Sequence, residues 1–236
     1  MEDNNQRLAG TLHKHAQTFH AVIPFTPGKD KLLLLDFSAN NKELSSIILD
    51  NTQRFSNYIT DKLKSAQAKF GIGGYNELRE LYGRSRVFDP DTPGEEPRRL
   101  HLGIDIWGKP YTAVMSPLDA VIHSFAFNNN FGDYGATLVL SHYIEGCSFH
   151  TLYGHLSLNS IKNLREGGNV KMGDVIGEFG IPMENGQWPP HLHFQVIDDL
   201  GEWKGDYPGV CKFSEREKYL SNCPDPDLIL QIMKYL

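Results

Sequence analysis

The sequence predicts a mainly β domain behind an N-terminal α/β extension, and three observations carry that reading. Beyond Leu100 the chain breaks into short β-branched and aromatic runs separated by Gly, Pro, Asn or Asp, the rhythm of a barrel or sandwich. Before it, Phe55, Tyr58, Ile59, Leu63 and Ala66 recur at three- and four-residue spacing, the apolar stripe of one helix. Hydrophobic residues make up 40% and charged residues 22% of the 236, enough to bury one large core.

In chain order, residues 1–20 read as a short helix, and residues 21–25 and 31–37 as two strands around the Pro27-Gly28 turn. The apolar stripe follows, with Gly71 as the natural stop of its helix, and a smaller helical patch covers residues 75–82. The segment DPDTPGEEPRR, residues 89–99, is turn-rich and charged and reads as an exposed link. Strands are then expected at HLGIDIW, AVIHSFAF, ATLVLSHY, FHTLYGHL, DVIGEFG and HLHFQVID. After Leu200 the chain is loop-like and ends in a short helix at PDPDLILQIMKYL. The expected division is an extension over residues 1–97, a core domain over 98–200 and a C-terminal loop and helix over 201–236.

Charge and hydropathy exclude several functions. The net charge of −6 has the wrong sign for a dedicated nucleic-acid binder. The longest apolar run is four leucines, Leu32–Leu35, far short of the roughly 18–20 residues of a membrane span. The N-terminus, MEDNNQRLAGTLHKHAQ, has no basic segment followed by an apolar one, so the expected compartment is the cytoplasm. Cys147, Cys211 and Cys223 are odd in number, lack a C-x-x-C spacing and read as reduced thiols.

The chemistry lies in the histidines. RRLHLGID carries His101 and Asp105 on what reads as an extended segment, where an even separation leaves both on one side. TLYGHL carries His155. PPHLHFQV carries His191 and His193 on a probable strand, whose period of two turns both imidazoles to one face. A lone H-x-H is expected about 0.4 times from composition alone, and His13-Lys14-His15 is such a match, so no single motif decides anything. Together and in order they do. His101, Asp105 and His193 supply two neutral imidazoles and one carboxylate, a Zn²⁺ ligand set that leaves a fourth position for water. His155 and His191 then stand as catalytic groups, one to take a proton and one to hold a developing oxyanion. The chain has no H-E-x-x-H, so a glutamate-base zinc protease is excluded.

The ordered set HLGID, DYGATLVLSH, TLYGHLS and HLHFQ resembles the lysostaphin/LytM-type zinc metalloendopeptidases, over about residues 98–200. The resemblance implies the duplicated hybrid motif, a barrel-sandwich type antiparallel β core with a groove over the sheet. It places the zinc ligands on His101, Asp105 and His193 and the catalytic histidines on His155 and His191. It implies cleavage of peptide bonds in peptidoglycan cross-links or related peptides, with a peptide or muropeptide as substrate. WPPHLHFQVIDDL, GDYPGV and CPDPDLIL further resemble the branch fused to class III aminotransferases and kinase-like domains, which makes such a protein a candidate partner. Two departures stand out: ENGQWPP at residues 184–190 replaces a small-residue loop, and Gln195 stands where many relatives have Glu.

The alternative reading is a non-hydrolytic zinc-stabilised module associated with amino-group metabolism. His123, His142 and His150 lack matching partners and read as structural, and Trp107 and Trp188 as groove walls or core. Tyr153 is a candidate neighbour of His155 without a catalytic assignment. A Cys147–His150 hydrolase is disfavoured, because odd separation on a strand points the two to opposite faces.

Overall fold

Helix α1 (Asn4–His15) opens the portion that the computed structural model describes, residues 4–236, with side chains from residue 7 onward. It buries Leu8 and Leu12 in the main core. Residues 21–25, expected as a strand, are irregular. Pro24 has no N–H for a ladder, and Val22 and Ile23 are buried from a loop instead. The strand expected over 31–37 forms as β1 (Leu32–Leu35).

The short helix α2 (Ser46–Leu49) precedes α3 (Thr52–Ala66), which carries the predicted stripe and buries Phe55 and Ile59. Asn51 caps α3 by accepting a hydrogen bond from Arg54 N. The helix stops at Gln67, with φ 54°, and not at Gly71. Gly71 belongs to β2 (Phe70–Gly73), which the sequence pattern hid because FGIG has no polar–apolar alternation. A Cβ on Gly71 would lie 2.4 Å from Leu35 Cδ1, so the close β1–β2 pairing needs glycine there. The helical patch expected over residues 75–82 lies further on, as 3-10 turns over Glu80–Arg84 and Arg86–Phe88.

Next come β3 (Leu100–His101), β4 (Ile104–Trp107), β5 (Ala113–Met115), β6 (Ala120–Asn128), β7 (Gly135–Ile144) and β8 (Cys147–Leu156). Helix α4 (Leu158–Ile161) leads to β9 (Asn169–Val170) and β10 (Val175–Glu178), followed by β11 (His191–Ile197) and β12 (Val210–Cys211). Helices α5 (Arg216–Leu220) and α6 (Asp227–Leu230) close the chain.

The expected mainly β fold is present as one eight-stranded sheet in the order β1-β2-β4-β11-β8-β7-β6-β9. All neighbours are antiparallel except β1 and β2. The sheet is open, with β1 and β9 at its edges, and is not a closed barrel. Through β2, the N-terminal hundred residues extend the same sheet that carries the histidines.

One face of the central strands presents Ile104, Ile106, Leu192 and Phe194 to a core shared with Leu8, Leu12 and Ile229. A second core holds Phe37, Phe55, Trp107 and Trp188. Each large apolar side chain buried in this way contributes about 1.5–3 kcal/mol of transfer free energy. Among the described residues no helix is long and apolar enough to cross a membrane.

Candidate active site

Strand register assembles the site. β11 pairs with β4 so that His193 lies opposite Asp105 and His191 opposite Trp107. Alternation then sends Leu192 and Phe194 to the main core and leaves both histidines on the other face. β8 places Gly154 opposite His193, and β2 places Gly73 opposite Asp105. These glycines make room: a Cβ on Gly154 would meet the Tyr134 ring at 2.5 Å, and one on Gly73 would meet Arg79 Nη2 at 2.7 Å. His101 reaches the group differently from the expected single extended segment. The chain breaks at Leu102 and Gly103 between β3 and β4, and the bend brings His101 back over Asp105.

His101 Nε2 lies 3.2 Å and His193 Nδ1 3.0 Å from Asp105 Oδ1, and the two nitrogens are 3.0 Å apart. Their tautomers follow from their outer partners. His101 Nδ1 is 2.8 Å from Gly74 O, which can only accept, so the proton sits there and Nε2 keeps its lone pair. The Gln195 amide donates to Pro208 O, which turns Oε1 toward His193 Nε2 at 2.9 Å and leaves His193 Nδ1 as the lone-pair atom. Two imidazole lone pairs and a carboxylate oxygen thus converge on one another. Three acceptors without a proton between them repel, and a divalent cation resolves that repulsion, so these residues fit a zinc ion.

Electrostatics hold the donors ready. Burial pushes the His101 pKa down to about 4, helped by the charge of Arg79. Burial alone would raise the Asp105 carboxyl, but His101 and Arg79 outweigh it and keep the group well below its usual range. Arg79 donates from Nη1 to Asp105 Oδ2 at 2.5 Å and from Nε to Glu77 at 2.6 Å, while itself only 1% exposed. Asp105 therefore turns one oxygen to the arginine and the other to the histidines.

His155 and His191 stand beside this group. Their rings stack at 4.0 Å, and Trp107 stacks on the other side of His191 at 3.9 Å. His155 Nδ1 lies 2.9 Å from Asn185 O and His191 Nδ1 2.8 Å from Pro189 O, so each ring is left with a free Nε2 lone pair. Burial lowers both pKa values, that of His191 to about 4, which keeps both imidazoles neutral at pH 7. His155 has φ 65°, a left-handed conformation beside an irregularity in the β7–β8 register. Such bulges re-aim side chains at functional sites, at a backbone cost of about 1–3 kcal/mol. The same bend separates His155 from Tyr153, which is no neighbour of the site: Tyr153 packs into the main core and accepts from Thr151 Oγ1.

Comparison with known proteins finds one matching family. Residues 99–204 match the model of peptidase family M23. Over that segment, a little under half of the chain, it is similar to that family. Among solved structures, the catalytic domain of lysostaphin from Staphylococcus simulans is 22% identical, over 75% of this chain and 97% of that one, with a TM-score of 0.41. A zinc-containing peptidase from Vibrio cholerae is 26% identical over 46% of this chain, with a TM-score of 0.34. The matched part spans 30% of the Vibrio protein's length. A putative M23 peptidase from Pseudomonas aeruginosa is 15% identical over 76% of this chain, with a TM-score of 0.36. No curated protein matches the chain in sequence.

Around the site the structure adds what sequence reasoning missed. Arg79 and Gly74 lie outside the matched segment, and nothing in NELRELYGRS marks the arginine. Tyr134, with its hydroxyl 3.4 Å from His193 Nε2, sat unremarked inside DYGATLVLSH. The unusual loop ENGQWPP is organised by Asn185, whose fully buried amide donates to Gly180 O and Trp188 O and accepts from Trp188 N. That loop supplies the carbonyls that set the tautomers of His155 and His191. Trp107 and Trp188 are groove wall and core at once, for both line the pocket and both belong to the second core. His142 is buried against Asp119 O and Thr151, and His123 packs on His150, all away from the pocket lining. Cys147 touches Thr11 of α1, and all three cysteines are free and buried.

Proposed function

We propose that the M23 domain is a zinc metalloendopeptidase that hydrolyses peptide bonds of peptidoglycan cross-links or related peptides. The observation that carries this reading is the convergence of the His101, His193 and Asp105 acceptor atoms, each tautomer held by a partner that leaves the lone pair inward. His101, Asp105 and His193 would hold the zinc, which when bound supplies Lewis-acid chemistry. His155 and His191 are the catalytic residues. Each offers a free Nε2 lone pair to take a proton from an attacking water, and each, once protonated, can donate to the developing oxyanion or the leaving amine. With their rings stacked at 4.0 Å, two positive charges there would repel, so one ring carries the proton at a time. Gln195 keeps His193 in its tautomer. A cytoplasmic setting and an aminotransferase or kinase-like partner belong to the same proposal and rest on the sequence resemblance.

The test is metal content. The purified chain should carry about one zinc, and His193→Ala should lose most of it. A His193→Ala protein that keeps its full zinc would overturn the ligand assignment.

A further inference from the structure

Three walls rise around the face that bears the histidines. The first is the N-terminal 3-10 segment, with Leu81, Tyr82 and Phe88; the second is the turn between β6 and β7 at residues 132–134; the third is the loop with Trp203 and Tyr207. The first wall lies outside the residues that match the M23 family.

These walls are joined, not merely adjacent. Ser85 Oγ donates to Phe131 O at 2.5 Å, tying the first wall to the second, and Arg98 N donates to Phe88 O at 2.8 Å. A Cβ on Gly132 would sit 2.3 Å from Ser85 Cβ, and one on Gly209 would sit 1.9 Å from the Tyr134 hydroxyl oxygen, so backbone meets side chain with no gap to spare. None of His101, Asp105, His155, His191 and His193 is more than 6% exposed. The space above them is about 700 Å³, with open solvent at its mouth included.

We propose that the substrate is a short, soluble peptide of a few residues, and not a strand held in a polymer. This rests on the peptidase reading above and narrows it. A cross-link inside a polymer has to leave the scissile bond in two directions with its bulk outside, and walls tied to one another at Ser85–Phe131 and Tyr134–Gly209 narrow that path. A free peptide can enter whole and be buried by the aromatic rings of the walls.

The experiment compares kcat/KM of the full-length zinc-loaded chain on soluble glycyl and alanyl peptides with its rate on intact peptidoglycan sacculi. The soluble peptides should be favoured by at least about a hundredfold. Phe88→Ala in the first wall and Trp203→Ala in the third should each raise the polymer-to-peptide ratio at least about tenfold. Trp203 is 46% exposed, so its variant folds even where the Phe88 variant does not. Equal rates on sacculi and peptides would overturn the inference and leave the peptidase reading intact. A zinc-loaded chain that cleaves neither substrate would overturn the peptidase reading, and this inference with it.

Discussion

Replacing Arg79 by Met should destabilise the protein by an amount that depends on the metal. The guanidinium is 1% exposed and reaches Asp105 Oδ2 at 2.5 Å, with Glu77 on its other nitrogen. Removing one partner of such a buried pair strands the other, and typically costs about 3–5 kcal/mol. Asp105 is the more severe loss, because its side chain is 5% exposed, whereas that of Glu77 is 18% exposed and can turn toward water. In a chelator-treated protein Asp105 has no other cation, so the full cost of about 3–5 kcal/mol should appear as a Tm lower by roughly 10 °C. With zinc bound the metal compensates the carboxylate, and the loss should shrink to about half or less. Arg79→Lys keeps the charge but not the fork, and should fall between the two. Urea denaturation of wild type and both variants, with and without chelator, measures the whole cycle. A loss below about 1 kcal/mol in the chelated Arg79→Met protein would refute the reasoning, since a buried carboxylate cannot be that indifferent to its only cation.

Gln195→Leu keeps the side-chain size but removes the acceptor that fixes His193 Nε2, so zinc affinity should fall about 10–100-fold by competition titration; unchanged affinity would remove Gln195 from the site. His142 is buried neutral, its pKa pushed down by burial from 6.5 to about 4. A depressed histidine pKa gives stability that is complete above pH 6.5 and is lost as pH falls toward 4, here up to about 3 kcal/mol. His142→Gln should therefore flatten the acid limb of the stability–pH curve, and an unchanged slope between those limits would contradict it.

The grouping of His101, Asp105 and His193 was legible in the sequence because its logic is local. His191 and His193 share a face by strand period, and the kink after His101 preserves what the even spacing suggested, although by another route. The N-terminal contribution was not legible. β2 hides in FGIG because its alternate residues are glycines, present to admit Leu35 and Arg79 and so without any hydrophobic signal. Arg79 reaches Asp105 across 26 positions, and Gly74 and Pro208 act through backbone carbonyls that carry no residue identity. The strand expected over residues 21–25 failed for a simpler reason, since apolar character around Pro24 was enough for burial but not for a ladder. Tyr153 was misplaced because strand alternation does not survive the left-handed residue at His155.

The central claim is that His101, Asp105 and His193 bind metal while His155 and His191 do chemistry, and one paired measurement separates the two classes. His155→Ala and His191→Ala should be assayed side by side for bound zinc and for turnover of a soluble alanyl or glycyl peptide. Both should hold zinc like the wild type, because neither offers an atom to the converging acceptor group. Both should cleave the peptide at least about a hundredfold more slowly, the usual cost of losing a general base or an oxyanion donor. Loss of zinc from either variant, or wild-type turnover in both, would contradict the account.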